Sequence, residues 1–516
     1  MTSTPKGSNR QLAINMASGV AVFVLNLCIT FFLTPYIVEK LGTGAYGFIG
    51  LSNTIIGYTS LLTVAINALA GRFITISVHE GNIEQANRYL SSVFFANAGI
   101  SLIILVGFSI MTIFLQDIIN IPTELVSDVK LMFFMFVISS CIGLISGVIG
   151  VGTFIRNRLD LANIANIIGS VLRAVLILLL FGLLPPKLWY YGIAALAMTS
   201  YAFLRNYIFL RRLTPELHIR KIYFRFKDLC EVTLAGMWTI ITRISSMLSQ
   251  GFNLLLANLF INAHAMGVLS IVSTIPSIII GFFGTIVGNF SPEYMRLYAQ
   301  KDMNGLLSSF NQSLRINGFL SAIPISICFA YGDIFYHVWL PTEDADWLYT
   351  LTCLSLFGMS FALPQEPLWQ IFTVTNKIRR SSLNLLYNSC VTFSIVFLSM
   401  FIVDGDRNRL LVLAATSSVV GAFRCLTFLP FYGAKCLDLP RFTFYPLIIR
   451  NTINLTLLTG VSLALKWLFL PDNWAGLFIG TVFTCIAGMT ISYNTVLRPS
   501  DRTMLKNVFK RKLHIA

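Results

Sequence analysis

The residues best placed to do chemistry lie in Leu234 to Asn258, which reads LAGMWTIITRISSMLSQGFNLLLAN. Thr239, Arg243, Ser246, Gln250 and Asn253 recur there at steps of four, three, four and three, which places all five on one face of a helix. The stretch is long enough to cross a bilayer, and a guanidinium inside a membrane is costly unless it faces protein or water. The planar fork of Arg243 can donate paired hydrogen bonds to phosphate oxygens. The stripe therefore reads either as one wall of a cavity for negative charge or as a polar seam against a neighbouring helix.

Other residues share that chemistry. Asn163, Asn166, Ser170 and Arg173 form a second stripe at steps of three, four and three. Asn15 and Asn26 are three helical turns apart and share a face, and Asn53, Gly57, Ser60 and Asn67 keep helical spacing in the next apolar segment. Arg205, Arg315 and Arg424 also fall inside apolar segments, where each either lines the cavity or snorkels to the headgroups. Glu366 is a carboxylate inside a span, in the break Pro364-Gln365-Glu366-Pro367. It fits three roles, which the sequence leaves open: a proton or cation site, an arginine partner, or a group at an aqueous mouth.

These residues must be positioned by membrane helices. Of 516 residues 56% are hydrophobic and 11% charged, with mean hydropathy +0.75; no soluble core uses so much apolar sequence. Breaks at charged, Pro and Gly positions give fourteen candidate spans, at 12–34, 46–71, 89–115, 129–152, 161–184, 188–210, 233–260, 266–290, 307–331, 347–375, 382–403, 409–432, 446–470 and 474–497. The net charge of +15 is explained by its distribution. The termini and the loops after even-numbered spans hold most Lys and Arg, whereas the opposite loops hold Lys40, Lys130, Lys187, Arg407 and Arg409. That bias predicts both ends in the cytoplasm and removes the need for a nucleic-acid partner. The first span is too long for a signal core and lacks a cleavage site, so it is expected to be retained.

The chain also repeats itself. Ala45-Tyr46-Gly47 is matched by Ala265-Met266-Gly267, Gly71-Arg72-Phe73 by Gly288-Asn289-Phe290, and Leu90-Ser91-Ser92 by Leu307-Ser308-Ser309, all at offsets of 217 to 220 residues. Common order and spacing argue for an internal duplication. Six spans separate the copies, so they share an orientation and form two parallel six-helix lobes with the substrate path between them. The fold class is an all-α polytopic membrane protein: a lobe over 1–213, a linker over 214–231, a second lobe over 232–440, two extra helices over 441–497 and a basic tail over 498–516. The linker TPELHIRKIYFRFKDLCE interleaves cations with aromatics and is expected to lie on anionic membrane lipids, as is the tail. Glycines in span four (Gly143, Gly147, Gly150, Gly152) and span eight (Gly281, Gly284, Gly288) suit close helix packing.

Several chemistries are excluded. There is no GxxxxGK[ST] for a nucleotide phosphate. The five His have no metal spacing, and the nine Cys form no CxxC pair. The acidic stretch Asp333 to Asp346 reads as a solvated turn. No cofactor and no enzymatic site is expected.

In these features the chain resembles the bacterial polysaccharide flippases of the Wzx type, in the multidrug/oligosaccharidyl-lipid/polysaccharide exporter superfamily. The likeness rests on the span number, two parallel lobes, Pro35 followed by Leu41-Gly42 and Tyr46-Gly47, and an arginine in span seven. It implies a V-shaped, MATE-like pair of lobes that alternates between inward-open and outward-open states in the inner membrane. It also implies transport of undecaprenyl-diphosphate-linked oligosaccharide to the periplasmic leaflet, driven by an ion gradient or membrane potential, with a glycan polymerase as a further candidate partner. On that reading Arg243 and Arg173 meet the diphosphate, aided by Arg315 and Arg424. Gln250, Asn253, Asn26 and Asn67 bind sugar or line the path, and Glu366 serves ion coupling. The chain departs from the lipid II flippases in lacking an arginine in span one, and from drug exporters in lacking a carboxylate in spans one and seven. A cation-coupled exporter of small molecules and a membrane-bound glycan-assembly enzyme are the alternatives.

Overall fold

The computed structural model describes residues 6–59, 67, 70–71, 73–78, 80–288, 290, 294, 297–298, 300–375, 377–469 and 473–498. Among these residues there is no strand. The main helices are α1 (Lys6–Leu41), α2 (Thr43–Thr59), α3 (Ile83–Ile113), α4 (Val126–Ile149), α5 (Leu159–Leu183), α6 (Trp189–Leu213), α7 (Phe226–Phe260) and α8 (Ala263–Val272, continued as Thr274–Gly288). They are followed by α9 (Met303–Trp339), α10 (Ala345–Gln365), α11 (Ile378–Ile402), α12 (Asp406–Leu426), α13 (Tyr445–Phe469) and α14 (Trp474–Thr495). Among the described residues, twelve helices are long and apolar enough to cross a membrane. The protein is a multi-pass, all-helical membrane protein.

Polar punctuation sets the helix ends. Asn82, Asp302, Asp344 and Asn473 each accept a hydrogen bond from a backbone N–H in the first turn of α3, α9, α10 and α14, as N-caps do. Gly42, at φ +83°, makes the turn between α1 and α2, a conformation that a Cβ disfavours. The sequence suggested that the first helix stops at Pro35. Instead α1 runs through Pro35 to Leu41, because a missing N–H is tolerated where neighbouring helices support the chain.

The chain divides into two compact units, Met1–Ser270 and Ile271–Ala516. In the first, α4 packs along α6 and α3, α5 lies between α1 and α6, and α2 touches α1, α4 and α7. Glycines in and just after α4 serve this packing: Gly143 faces Thr199, Gly150 faces Asn206, and Gly152 faces the Leu210 backbone, all on α6, whereas Gly147 meets nothing within 4 Å. Asn206 donates to the Ser146 hydroxyl at 3.0 Å, and Ser139 and Thr199 share a hydrogen bond at 2.6 Å. In the second unit α9 is central, packed on α10, α13 and α14, while α12 lies against α10 and α11. Gly318 leaves room for Asn451, whose amide donates to the Leu314 carbonyl at 3.2 Å. Asn317 donates to the Leu363 carbonyl at 2.8 Å. Small residues and amides thus hold helices together where apolar burial gives no preference over lipid.

Candidate functional site

The helix bearing Arg243 begins at Phe226, within the stretch expected as linker, and spans 35 residues. Arg243 is its midpoint, with roughly 25 Å of helix on either side. The side chain is exposed, and among the described residues it has no hydrogen bond and no ion pair. Ser246 turns back to the Thr242 carbonyl at 3.0 Å, and Asn253 is half-buried. The side chains of Thr239 and Gln250 lie outside the described residues.

α7 packs on α2, and α2 packs on α1; the Tyr58 and Phe252 rings meet across the α2–α7 seam at 5.8 Å. On α1, Asn26 is half-buried and has no hydrogen-bond partner among the described residues. On α2, Asn53 is exposed and equally unpartnered. Asn53 and Asn67 share one helical stripe in the sequence but differ in burial. Asn67 is engaged, its carbonyl oxygen accepting from Asn97 at 2.9 Å. It lines a 190 Å³ cleft with Gly71, Gly147, Gly150 and Phe154.

The three helices carry no carboxylate through their middles: Glu39 stands near the end of α1, α2 has none, and Asp228 and Glu231 open α7. An exposed guanidinium with no partner among the described residues of a membrane helix favours an anionic group.

The remaining candidates are dispersed. Arg173 on α5 is half-buried, and its Nε is buried without a hydrogen-bond partner. α5 packs on α1 and α6, whereas α7 packs on α2 and α3, so helix packing does not join Arg173 to Arg243. The lower part of the Arg173 stripe is a seam: Asn163 donates to Ser18 at 2.9 Å, and Asn15 holds Asn157 and the Asp160 backbone. In the second unit Arg315 is 4% exposed on α9 and faces protein. Glu366 sits between α10 and a short helix, Leu368–Val374, and Arg424 of α12 is the charge that acts on it. The two form no ion pair within hydrogen-bonding reach; the Arg424 guanidinium instead lies over the Trp369 ring at 5.0 Å. No cluster of metal-ligating side chains occurs among the described residues.

Residues 12–292 match the family described as "Polysaccharide biosynthesis protein". The chain belongs to that family. The match covers α1 through α8, and so includes Arg243, Asn26 and Asn53. A relative of similar length is the uncharacterized membrane protein EpsK of Bacillus subtilis (strain 168), 25% identical over 501 residues, covering 97% of this chain and 98% of EpsK. Among solved structures, the lipid II flippase MurJ in an inward closed conformation superposes with TM-score 0.62 at 13% identity, covering 97% of this chain and 99% of MurJ. An inward-facing multidrug resistance MATE transporter of the MOP superfamily gives TM-score 0.60 at 14% identity, over 81% of this chain and 99% of the transporter. The family member thus has the fold of this superfamily's transporters and flippases.

Proposed function

We propose that the protein is a flippase, not an enzyme, that moves undecaprenyl-diphosphate-linked oligosaccharide from the cytoplasmic to the periplasmic leaflet of the bacterial inner membrane. The observation that carries this reading is the guanidinium of Arg243 at the midpoint of α7, exposed and without a partner among the described residues, with no carboxylate in the middle of α1, α2 or α7. Its fork receives the diphosphate, Asn26 and Asn53 hydrogen-bond sugar hydroxyls, and the prenyl chain stays in lipid. Both termini lie in the cytoplasm, following the distribution of Lys and Arg. Alternating access of two parallel lobes, driven by an ion gradient or the membrane potential, moves the cargo.

A cation-coupled exporter of small molecules calls for an uncompensated carboxylate in the path. Glu366 has Arg424 acting on it, which speaks for charge compensation at the α10 break. Movement of a fluorescent prenyl-diphosphate oligosaccharide across proteoliposomes tests the proposal. Transport by the wild type that is lost on Arg243→Ala in folded protein supports it. Transport of a drug-like cation, lost on Glu366→Gln, supports the exporter instead.

A further inference from the structure

The segment between α6 and α7 is strapped to the first turns of α3 by three buried side chains. Asn87 accepts from the His218 N–H at 2.7 Å and donates to the Glu216 carbonyl at 3.4 Å. Ser91 accepts from the Arg220 N–H at 3.2 Å and donates to the His218 carbonyl at 3.3 Å. Ser92 accepts from the Arg225 N–H at 2.9 Å and donates to the carbonyl of the same residue at 3.2 Å. Leu217 is buried, and Ile219 packs onto the cluster containing Leu90 and Val93. The inward side chains and much of the backbone are therefore satisfied by protein.

What faces outward is of two kinds. Arg220, Lys221, Arg225 and Lys227 are exposed and take part in no ion pair among the described residues. Between them Ile222 is 83% exposed and Phe226 68%. An ordinary solvated loop has no reason to hold large apolar side chains outward from a fixed backbone. An irregular segment tolerates the edge of a bilayer only when its backbone polar groups are already paired, which Asn87, Ser91 and Ser92 accomplish.

We propose that residues 220–227 form a fixed plate that docks on anionic phospholipid, with Ile222 and Phe226 at the acyl boundary and the four cations at the headgroup phosphates. Because α7 begins at Phe226, the plate holds the start of the Arg243 helix at a set depth. This is independent of the cargo.

The test places an environment-sensitive fluorophore on Ile222→Cys in full-length protein whose exposed Cys28 and Cys390 are replaced by serine. The protein is reconstituted in phosphatidylglycerol or phosphatidylcholine bilayers containing nitroxide-labelled lipid. In phosphatidylglycerol the probe is quenched by the lipid nitroxide and shielded from aqueous iodide. Converting Arg220, Lys221, Arg225 and Lys227 to glutamine reverses that balance several-fold, with helix content unchanged by circular dichroism. A probe open to iodide in phosphatidylglycerol overturns the proposal. So does lipid quenching that is the same in phosphatidylcholine and in the glutamine variant, since the apolar residues would then dip without headgroup recognition.

Discussion

Gly47 of α2 and Gly267 of α8 meet backbone to backbone: a Cβ on Gly47 would stand 2.7 Å from the Gly267 nitrogen and 2.8 Å from its Cα. They occupy the same place in the two repeated motifs, Ala45-Tyr46-Gly47 and Ala265-Met266-Gly267. A Cβ on Gly267 would in turn run into the Thr43 carbonyl, so neither position has room. Gly47→Val and Gly267→Val are each expected to destabilise the protein by about 1–3 kcal/mol through overpacking, read as a lower Tm in detergent. Gly460→Ala, where nothing lies within 4 Å, leaves Tm unchanged or raises it, since alanine is the better helix former.

A reciprocal amide pair secures the far end of α7. Asn258, fully buried, accepts from the Asn120 backbone N–H at 2.9 Å and donates to the Asn120 carbonyl at 3.1 Å, while the Asn120 side chain donates to the Asn258 carbonyl at 3.0 Å. Asn258→Ala strands the donor and the acceptor of the Asn120 backbone, whereas Asn120→Ala frees only carbonyls at the helix end, those of Asn258 and Leu259. Leaving a buried group unpaired costs about 1–3 kcal/mol, so Asn258→Ala is expected to lower thermal stability more than Asn120→Ala. Equal losses would show that the backbone of residue 120 is not held by this amide.

Glu366 and Arg424 lie on different helices and act on one another electrostatically. Removing one partner of a half-buried pair of opposite charges leaves the other less compensated, whereas removing both does not. Glu366→Gln and Arg424→Gln are therefore each expected to destabilise, with the double variant recovering part of the loss and a coupling of roughly 1 kcal/mol in a double-mutant cycle. Additive losses would restore Glu366 as an independent group and reopen its assignment to ion coupling.

Asn53 is exposed and unpartnered, whereas Asn67 is tied to Asn97. Asn53→Ala is expected to leave Tm within about 0.5 kcal/mol equivalent while lowering transport of a sugar-bearing cargo. Asn67→Ala is expected to lower Tm, because Asn97 is fully buried and loses an acceptor. The reverse pattern would exchange their roles.

The long apolar helices were legible because hydropathy and length alone define a membrane span, and Arg243 stood out because an intramembrane cation has few structural uses. Periodicity names a face but not what that face meets. Asn15 and Asn163 have the spacing of a cavity stripe and instead join α1 to α5, and Asn53 and Asn67 share a stripe yet differ in burial. Pro35 reads as a stop, but in α1 the helix continues through it. The electrostatic link from Glu366 to Arg424 joins segments far apart in sequence, which no local pattern encodes. The lipid plate was visible as composition, whereas the strap of Asn87, Ser91 and Ser92 that fixes it depends on tertiary contacts.

The central claim is that Arg243 receives the cargo's phosphate, and the most direct measurement is movement of a fluorescent prenyl-diphosphate oligosaccharide across proteoliposomes under an imposed ion gradient. Wild type, Arg243→Lys and Arg243→Ala are compared at matched Tm. A charged hydrogen bond lost from the site is worth about 1.5–3 kcal/mol, so Arg243→Ala is expected to reduce movement at subsaturating cargo by about tenfold or more. Arg243→Lys, which keeps the charge and loses the fork, is expected to fall between. Undiminished movement by a folded Arg243→Ala protein would contradict the account.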